Sequence, residues 1–264
     1  MSTYRKEVKP KKSLGQHFLR DFSIAERIAG VLSTFPNLPV LEVGPGTGVL
    51  TQFLLKNKYD LTVVELDRDS VKYLDEHYPK LKGRIIEADF LKLDLNVLYS
   101  GKFCVIGNYP YNISSQIFFK VLDYKDKVPC CAGMLQKEMA ERMASKPGKK
   151  AYGIISVLLQ AWYDIEYLFT VEPEVFDPPP KVKSAVIMIT RNARTVLGCN
   201  ENLFKTVVKT AFNQRRKTLR NSLKSLLGKD NSISILNVFD RRPEQLSVKE
   251  FIELTNKIEE MKLC

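Results

Sequence analysis

The sequence has little of what secreted, metal-binding or membrane-embedded proteins depend on. Histidine occurs only at His17 and His77, and the five cysteines, Cys104, Cys130, Cys131, Cys199 and Cys264, are an odd number. Their spacing fits neither a metal-ligand pattern nor a disulfide framework, so reduced thiols and no metal are expected. No apolar run approaches the roughly 20 residues of a membrane span. The opening MSTYRKEVKPKK also lacks the apolar core of a secretory signal. These absences point to a soluble, cytoplasmic chain with no membrane partner. What remains is an ordinary globular composition, 44% hydrophobic and 27% charged over 264 residues, enough for one large domain and a small one.

The net charge of +11 is unevenly spread. Residues 1–20 carry six Lys and Arg against one acid, residues 191–264 carry fifteen against eight, and residues 21–190 carry twenty against twenty-one. Positive ends around a neutral centre suit a polyanionic partner, although a merely solvated basic surface has the same composition.

Residues 1–12 are expected to lack fixed structure. SLGQHFLRD follows, with Leu14, Phe18 and Leu19 among polar residues, and leads into a helix over about 24–33. Such an arm either folds over a ligand or staples the N-terminus to the core. Val40–Val43 reads as a buried strand running into Gly44-Pro-Gly-Thr-Gly48, where glycines let a ligand approach the backbone. The spacing is not the GxGxxG of dinucleotide sites, and such turns are common. A strand over 61–64 ends in Glu65-Leu-Asp67. An acid at that tip can accept from ribose hydroxyls or simply be solvated. A strand over 84–87 precedes Ala88-Asp89-Phe90, where Asp89 can accept from an adenine amino group while Phe90 or Leu66 packs on the ring.

The fourth strand, 103–106, delivers Gly107-Asn-Tyr-Pro-Tyr111 beyond its carboxyl end. An exocyclic amino group on a nucleobase is a poor nucleophile because its lone pair is delocalised into the ring. An enzyme alkylating it must hold its N–H groups with acceptors. The Asn108 side-chain oxygen and the Tyr109 backbone carbonyl are two, presented by a turn that Pro110 stiffens, while Tyr111 can stack on the base. A strand-ending turn with a core tyrosine is the plainer alternative. Further on, strands over 130–135, 163–171 and 184–190 complete a sheet, the last two as a hairpin-like pair. Helices are expected at 115–122, 136–143 and 156–162. The loop Lys146-Pro-Gly-Lys-Lys150 is a basic tip. Phe204, Val208, Ala211, Phe212, Leu219, Leu223 and Leu226 follow helical periodicity, with Arg216, Arg220 and Lys224 on another face beside Arg215 and Lys217. That face is either solvated or in contact with phosphates. Residues 232–262 read as two short helices around Pro243.

Taken together, GQHFL, LEVGPGTGVLT, VVELD, EADFLK, NYPYN, DPPPKVKSAV and FNQRRKTLRNSL resemble, in order and approximate spacing, the ribosomal RNA adenine N6-dimethyltransferases, and most of all their bacterial small-subunit members. The resemblance spans about residues 8–260. It implies an α/β fold, a Rossmann-like seven-stranded methyltransferase sheet with one antiparallel strand near its edge, over 1–190, and a small all-α RNA-binding domain over 191–264. It also implies S-adenosylmethionine as cofactor, its carboxypropyl tail near Gly44, Gly46 and Gly48, its ribose on Glu65, its adenine beside Leu66, Asp89 and Phe90, with Asn108 at the methyl end. Gln16, His17 and Leu19 would close the N-terminal side, and Phe176 would stack on the target adenine opposite Tyr111. The RNA contacts would be Arg215, Arg216, Lys217, Arg220 and Lys224. Two positions depart from the family's commonest pattern: Tyr109 stands where Leu or Ile is usual, and His17 where Asn is usual.

The implied substrate is a pair of adjacent adenosines near the 3′ end of small-subunit ribosomal RNA, each dimethylated, met by a monomer on a ribosomal subunit or assembly intermediate. A large-subunit methyltransferase conferring macrolide resistance, a DNA adenine methyltransferase, and an assembly or RNA-binding factor with secondary catalysis are the alternatives.

Overall fold

The computed structural model describes residues 8–227 and 232–263, which leaves residues 1–7, residues 228–231 and Cys264 outside. Among the described residues nine strands are formed: β1 (Phe18–Leu19), β2 (Val40–Val43), β3 (Leu61–Glu65), β4 (Ile85–Glu87), β5 (Cys104–Asn108), β6 (Cys130–Gln136), β7 (Tyr163–Val171), β8 (Phe176–Asp177) and β9 (Ser184–Arg191). Seven make one sheet in the order β4-β3-β2-β5-β6-β9-β7, and β1 pairs antiparallel with β8. Every residue of β2 is buried, as are all of β5 and β6 except their last. Strands buried on both faces are what a parallel sheet covered by helices requires.

The topology fixes where a ligand can enter. β2 lies parallel to both β3 and β5, so the chain moves outward through β3 and β4 and then returns to the other side of β2. Open α/β sheets bind ligands at such a reversal, beyond the carboxyl ends of the strands. The glycine turn after β2 and Asn108 at the end of β5 both stand there. β9 runs antiparallel to β6, the one antiparallel partner expected near the edge.

Short polar side chains start the helices. Asp21 caps Phe22–Gly30 by accepting from Ser23 N at 2.8 Å and Ile24 N at 3.3 Å. Asp67 caps Arg68–His77, and Asn200 caps Glu201–Asn213. These carboxylates and amides satisfy amides that a helix's first turn leaves unpaired.

Three expectations need correction. Residues 8–12 are held: Val8 is buried, and Lys11 pairs with Asp67 and with Asp69, the latter at 2.7 Å. The expected continuous helix through Leu226 stops at Asn213 and resumes as Leu219–Ser222 and Lys224–Leu227. The break has a local cause, because Arg215 turns to donate to the Lys149 and Lys150 carbonyls and Leu219 N donates to Arg241 O at 2.8 Å. Around Pro243, three 3-10 turns (Ser232–Ile235, Asn237–Asp240, Pro243–Gln245) and one long helix, Val248–Leu263, replace two short helices.

The chain divides into two compact units. One takes the residues up to Ala140 together with Ile165–Arg191; the other takes Glu141–Asp164 and the residues from Asn192 onward. Residues 141–164 thus group with the C-terminal helices instead of falling within a 1–190 domain. The reason lies in helix Ile154–Gln160, whose Ile155, Val157, Leu158 and Leu159 are buried within that unit, where Tyr152 meets the Phe212 ring at 6.3 Å. Among the described residues, no helix is long and apolar enough to cross a membrane.

Candidate active site

One cavity of about 210 Å³ lies in the first unit, and most of the residues singled out for cofactor and chemistry line it. Gln16, His17, Leu19, Gly44, Gly46, Glu65, Leu66, Asp89, Phe90, Asn108, Tyr109, Pro110 and Tyr111 all face it; Gly48 lies just behind the lining residue Thr47. The glycine turn is closed by side chains from elsewhere. Gly46, at φ 56°, lies so near the Phe18 ring that a Cβ would stand 2.9 Å from it. Gly48, at φ 78°, would bring a Cβ within 2.5 Å of the Tyr78 ring, whose hydroxyl donates to the Gly48 carbonyl at 3.0 Å. Both positions need a residue that tolerates positive φ and leaves no side chain in the way.

Glu65 is buried, and its carboxylate is mostly engaged. Oε2 accepts from Gly46 N at 3.0 Å, and Oε1 accepts from Leu66 N and Asp67 N, both at 2.9 Å. A carboxylate offers about four acceptor sites. Three are taken here, which leaves one for a ligand hydroxyl instead of the two anticipated. Burial pushes this carboxyl above its usual range, and the three amides pull it back.

Asp67, beside it, is wholly enclosed and accepts from Lys11 Nζ, Gln16 Nε2 at 3.1 Å, Asp69 N at 3.2 Å and Ser70 Oγ at 3.3 Å. The Gln16 amide is therefore committed to the protein, since its Oε1 also accepts from Lys11 N at 2.8 Å. Asp89 accepts from Leu91 N at 2.9 Å and caps the turn that carries buried Phe90, while Leu66 stands half exposed across the pocket's rim.

The N-terminal arm meets the Asn108 turn directly. Asn108 Nδ2 donates to the His17 carbonyl at 3.2 Å. A carbonyl can only accept, so this contact fixes which end of the amide is NH₂ and leaves Oδ1 as the free acceptor. The His17 ring stacks on Tyr111 at 5.3 Å and its Nδ1–H donates to the Pro178 carbonyl at 2.7 Å. The unusual Tyr109 turns into the core, donates to the Ala132 carbonyl at 2.7 Å and meets the Phe118 ring edge-on.

Phe176 is not among the residues that line the cavity. It is 1% exposed, pairs with Leu19 across β1 and β8, and belongs to the apolar core. A phenyl ring beside a short antiparallel pair gains more from burial than from facing a wet cavity. Tyr111 instead bonds Ser184 through its hydroxyl.

The basic residues lie in the second unit, and they divide into two groups. Arg215 is engaged by loop carbonyls and by Glu244 at 3.9 Å, and Arg220 pairs with Asp240. Arg216, Lys217 and Lys224 are exposed and form no ion pair among the described residues. The described residues also hold no group of three or more His, Cys, Asp or Glu placed to bind a metal, and Cys104, Cys130, Cys131 and Cys199 are free thiols.

Two residues escaped the sequence reading. Glu42, inside the apolar run of β2, lines the cavity and is 1% exposed; Thr51 Oγ1 donates to it at 2.7 Å. An acid in an otherwise apolar buried strand was the available signal. Tyr78 had no local signal, because its partner is thirty residues away.

The model of the family described as ribosomal RNA adenine dimethylase matches residues 7–260. The ribosomal RNA small subunit methyltransferase A of Parabacteroides distasonis is 73% identical over 94% of this chain and 93% of its own. Among solved structures, a dimethyladenosine transferase from Plasmodium falciparum superposes with a TM-score of 0.76 at 23% identity, covering 93% of this chain and 98% of that one. The 23S rRNA methyltransferase ErmE does so with a TM-score of 0.65 at 27% identity, covering 89% and 99%.

Proposed function

Because the chain belongs to the ribosomal RNA adenine dimethylase family, we propose that its cavity binds S-adenosylmethionine and methylates N6 of two adjacent adenosines near the 3′ end of small-subunit ribosomal RNA. The observation that carries this reading is that the glycine turn, Glu65, Asp89 and an Asn108 of fixed orientation line one cavity.

The residues present fit the cofactor. An adenosine moiety needs an acceptor for its ribose, an acceptor for its amino group and apolar walls for its ring. Glu65 retains one acceptor site, Asp89 Oδ2 meets Lys92 Nζ in an ion pair at 3.8 Å, too long for a hydrogen bond, and so can still accept, and Leu66 and Phe90 provide the walls. When bound, the cofactor supplies an electrophilic methyl group on a sulfonium.

The chain's own work is positioning and desolvation. Asn108 Oδ1 and the Tyr109 carbonyl accept the two N6–H groups, so that the nitrogen lone pair turns toward the methyl. The His17 carbonyl holds the Asn108 amide in the orientation this needs. No strong base is required, since a proton leaves readily once the nitrogen is alkylated. Tyr111 stacks on the target base, and Arg216, Lys217 and Lys224 meet phosphates. The protein acts as a cytoplasmic monomer on a ribosomal subunit or assembly intermediate.

Incubation with isotope-labelled S-adenosylmethionine and each unmethylated ribosomal subunit tests the reading. Label in N6,N6-dimethyladenosine of small-subunit RNA is expected. Label in large-subunit RNA would overturn the substrate assignment, and tight subunit binding without transfer would make the chain a binding factor.

A further inference from the structure

The turn that carries Asp89 and Phe90 is supported from the far side by a lysine that no motif includes. Its amides fold inward: Leu91 N donates to Asp89 Oδ1 at 2.9 Å, and Lys92 N and Leu93 N donate to Asp89 O at 3.0 and 3.2 Å. The Leu91 and Leu93 carbonyls point the other way. Lys120, in the last turn of helix Ser114–Asp123, donates from Nζ to Leu91 O at 3.0 Å and also to Leu93 O. The same ammonium stands 5.5 Å from the Phe90 ring centroid and 5.8 Å from that of Tyr124. Asp89, Phe90 and Leu91 all line the cavity.

We infer that Lys120 is a positioning residue for the adenine end of the cofactor, binding the carbonyls of the 89–93 turn so that Asp89 and Phe90 keep the places an adenine ring needs. The inference rests on the reading of Asp89 as acceptor for the adenine amino group. A helix residue is suited to this task because the helix is rigid where the turn is not. Three donors on one ammonium can bridge two carbonyls that a neutral side chain of the same length would leave unpaired. Removing it frees two carbonyls at once, and the turn can then relax away from the cavity. The partial burial that lowers the lysine's proton affinity, opposed by Asp89, Asp94 and Asp123, accords with an ammonium drawn in for its hydrogen bonds.

The test compares Lys120→Met and Lys120→Arg with the unaltered protein. Calorimetry measures affinity for S-adenosylhomocysteine and for S-inosylhomocysteine, which carries an oxo group in place of the adenine amino group. Amide hydrogen exchange is followed at Leu91, Lys92 and Leu93. The unaltered protein should prefer the amino ligand. Lys120→Met should bind it about tenfold more weakly, lose much of the preference and exchange the three amides faster. Lys120→Arg, which keeps charge and donors, should recover most of each. If Lys120→Met does not fold, Lys120→Gln, too short to span both carbonyls, takes its place.

Unchanged affinity for S-adenosylhomocysteine overturns the inference, whether or not exchange quickens. A preference that survives intact in the methionine variant overturns it as well. If the unaltered protein shows no preference between the two ligands, the reading of Asp89 fails on its own. The affinity for S-adenosylhomocysteine and the exchange rates, which must both change, then decide the case for Lys120.

Discussion

Replacing Glu42 with glutamine isolates the cost of keeping a carboxyl group dry inside β2. Burial pushes this carboxyl from 4.5 up to about 8; the Thr51 hydroxyl pulls against that and the charge of Glu65 adds to it. The folded protein therefore holds a proton that the unfolded chain releases near 4.5. Below that pH both states are protonated, and the folded state has its full stability. Above it, the folded state binds one more proton than the unfolded, so stability falls by roughly 1.4 kcal/mol for each further pH unit until the buried group ionises. Carried through the interval, the loss reaches a ceiling of roughly 5 kcal/mol. Glutamine keeps an oxygen for Thr51 and cannot ionise. Urea unfolding of both proteins across roughly pH 5 to 8 should show the variant gaining on the unaltered chain by several kcal/mol as pH rises. Every other titrating group is common to both proteins, and all but Glu65, which is coupled to Glu42, drop out of the difference. Parallel stability curves over that range would refute the reasoning, since they would mean that Glu42 is already ionised, and stabilised, at neutral pH.

Asn108→Ala should slow single-turnover methylation by roughly a hundredfold or more while cofactor affinity stays near normal, as removal of one transition-state contact does; near-normal transfer by a folded variant would exclude its role as acceptor. Glu65→Gln sets an NH₂ group against Gly46 N, so it should cost about 1–3 kcal/mol in thermal unfolding and weaken S-adenosylmethionine by a similar amount; full retention of both would show that the Gly46 contact carries no load. Gly48→Ala should lower the melting temperature through a strained positive φ and a clash with Tyr78, together about 2–4 kcal/mol, and Tyr78→Phe in the same background should not restore it, because ring carbons stay in the way once the hydroxyl, which also clashes, is removed. Reversing Arg216, Lys217 and Lys224 to Glu should reduce the slope of log affinity for ribosomal RNA against log salt by roughly two to three, with cofactor binding unchanged; an unaltered slope would mean that these three cations are solvated.

The strand tips were legible because each combined an apolar run with a polar or glycine punctuation, whereas the seven-stranded sheet with its antiparallel strand was implied by the family resemblance. The orientation of Phe176 was not legible. Proline-rich segments carry no periodicity that says which way a neighbouring ring points, and the partner that buries it, Leu19, lies in the N-terminal arm. The helix expected through Leu226 failed for a related reason. Its apolar positions are real, since Phe212, Leu219 and Leu223 are buried. Periodicity, however, counts residues and does not see that Arg215 finds carbonyls outside the helix.

The deeper limit concerns how many hydrogen bonds each polar side chain has left to give. From the sequence, Gln16, Glu65 and Asp67 look equally available to a ligand. In the folded chain, Gln16 is committed at both ends of its amide, Asp67 takes four donors and Glu65 three. These residues chiefly hold the glycine turn and the arm to each other, and ligand contact falls to the acceptor sites that remain. A pocket whose acceptors are already fixed by amides does not have to reorganise when a ligand arrives, and that is the condition under which positioning alone can favour a weak nucleophile. Asn108 shows it at the smallest scale. One bond to the His17 carbonyl determines which atom of the amide faces the cavity, and it depends on an arm ninety-one residues away in the chain.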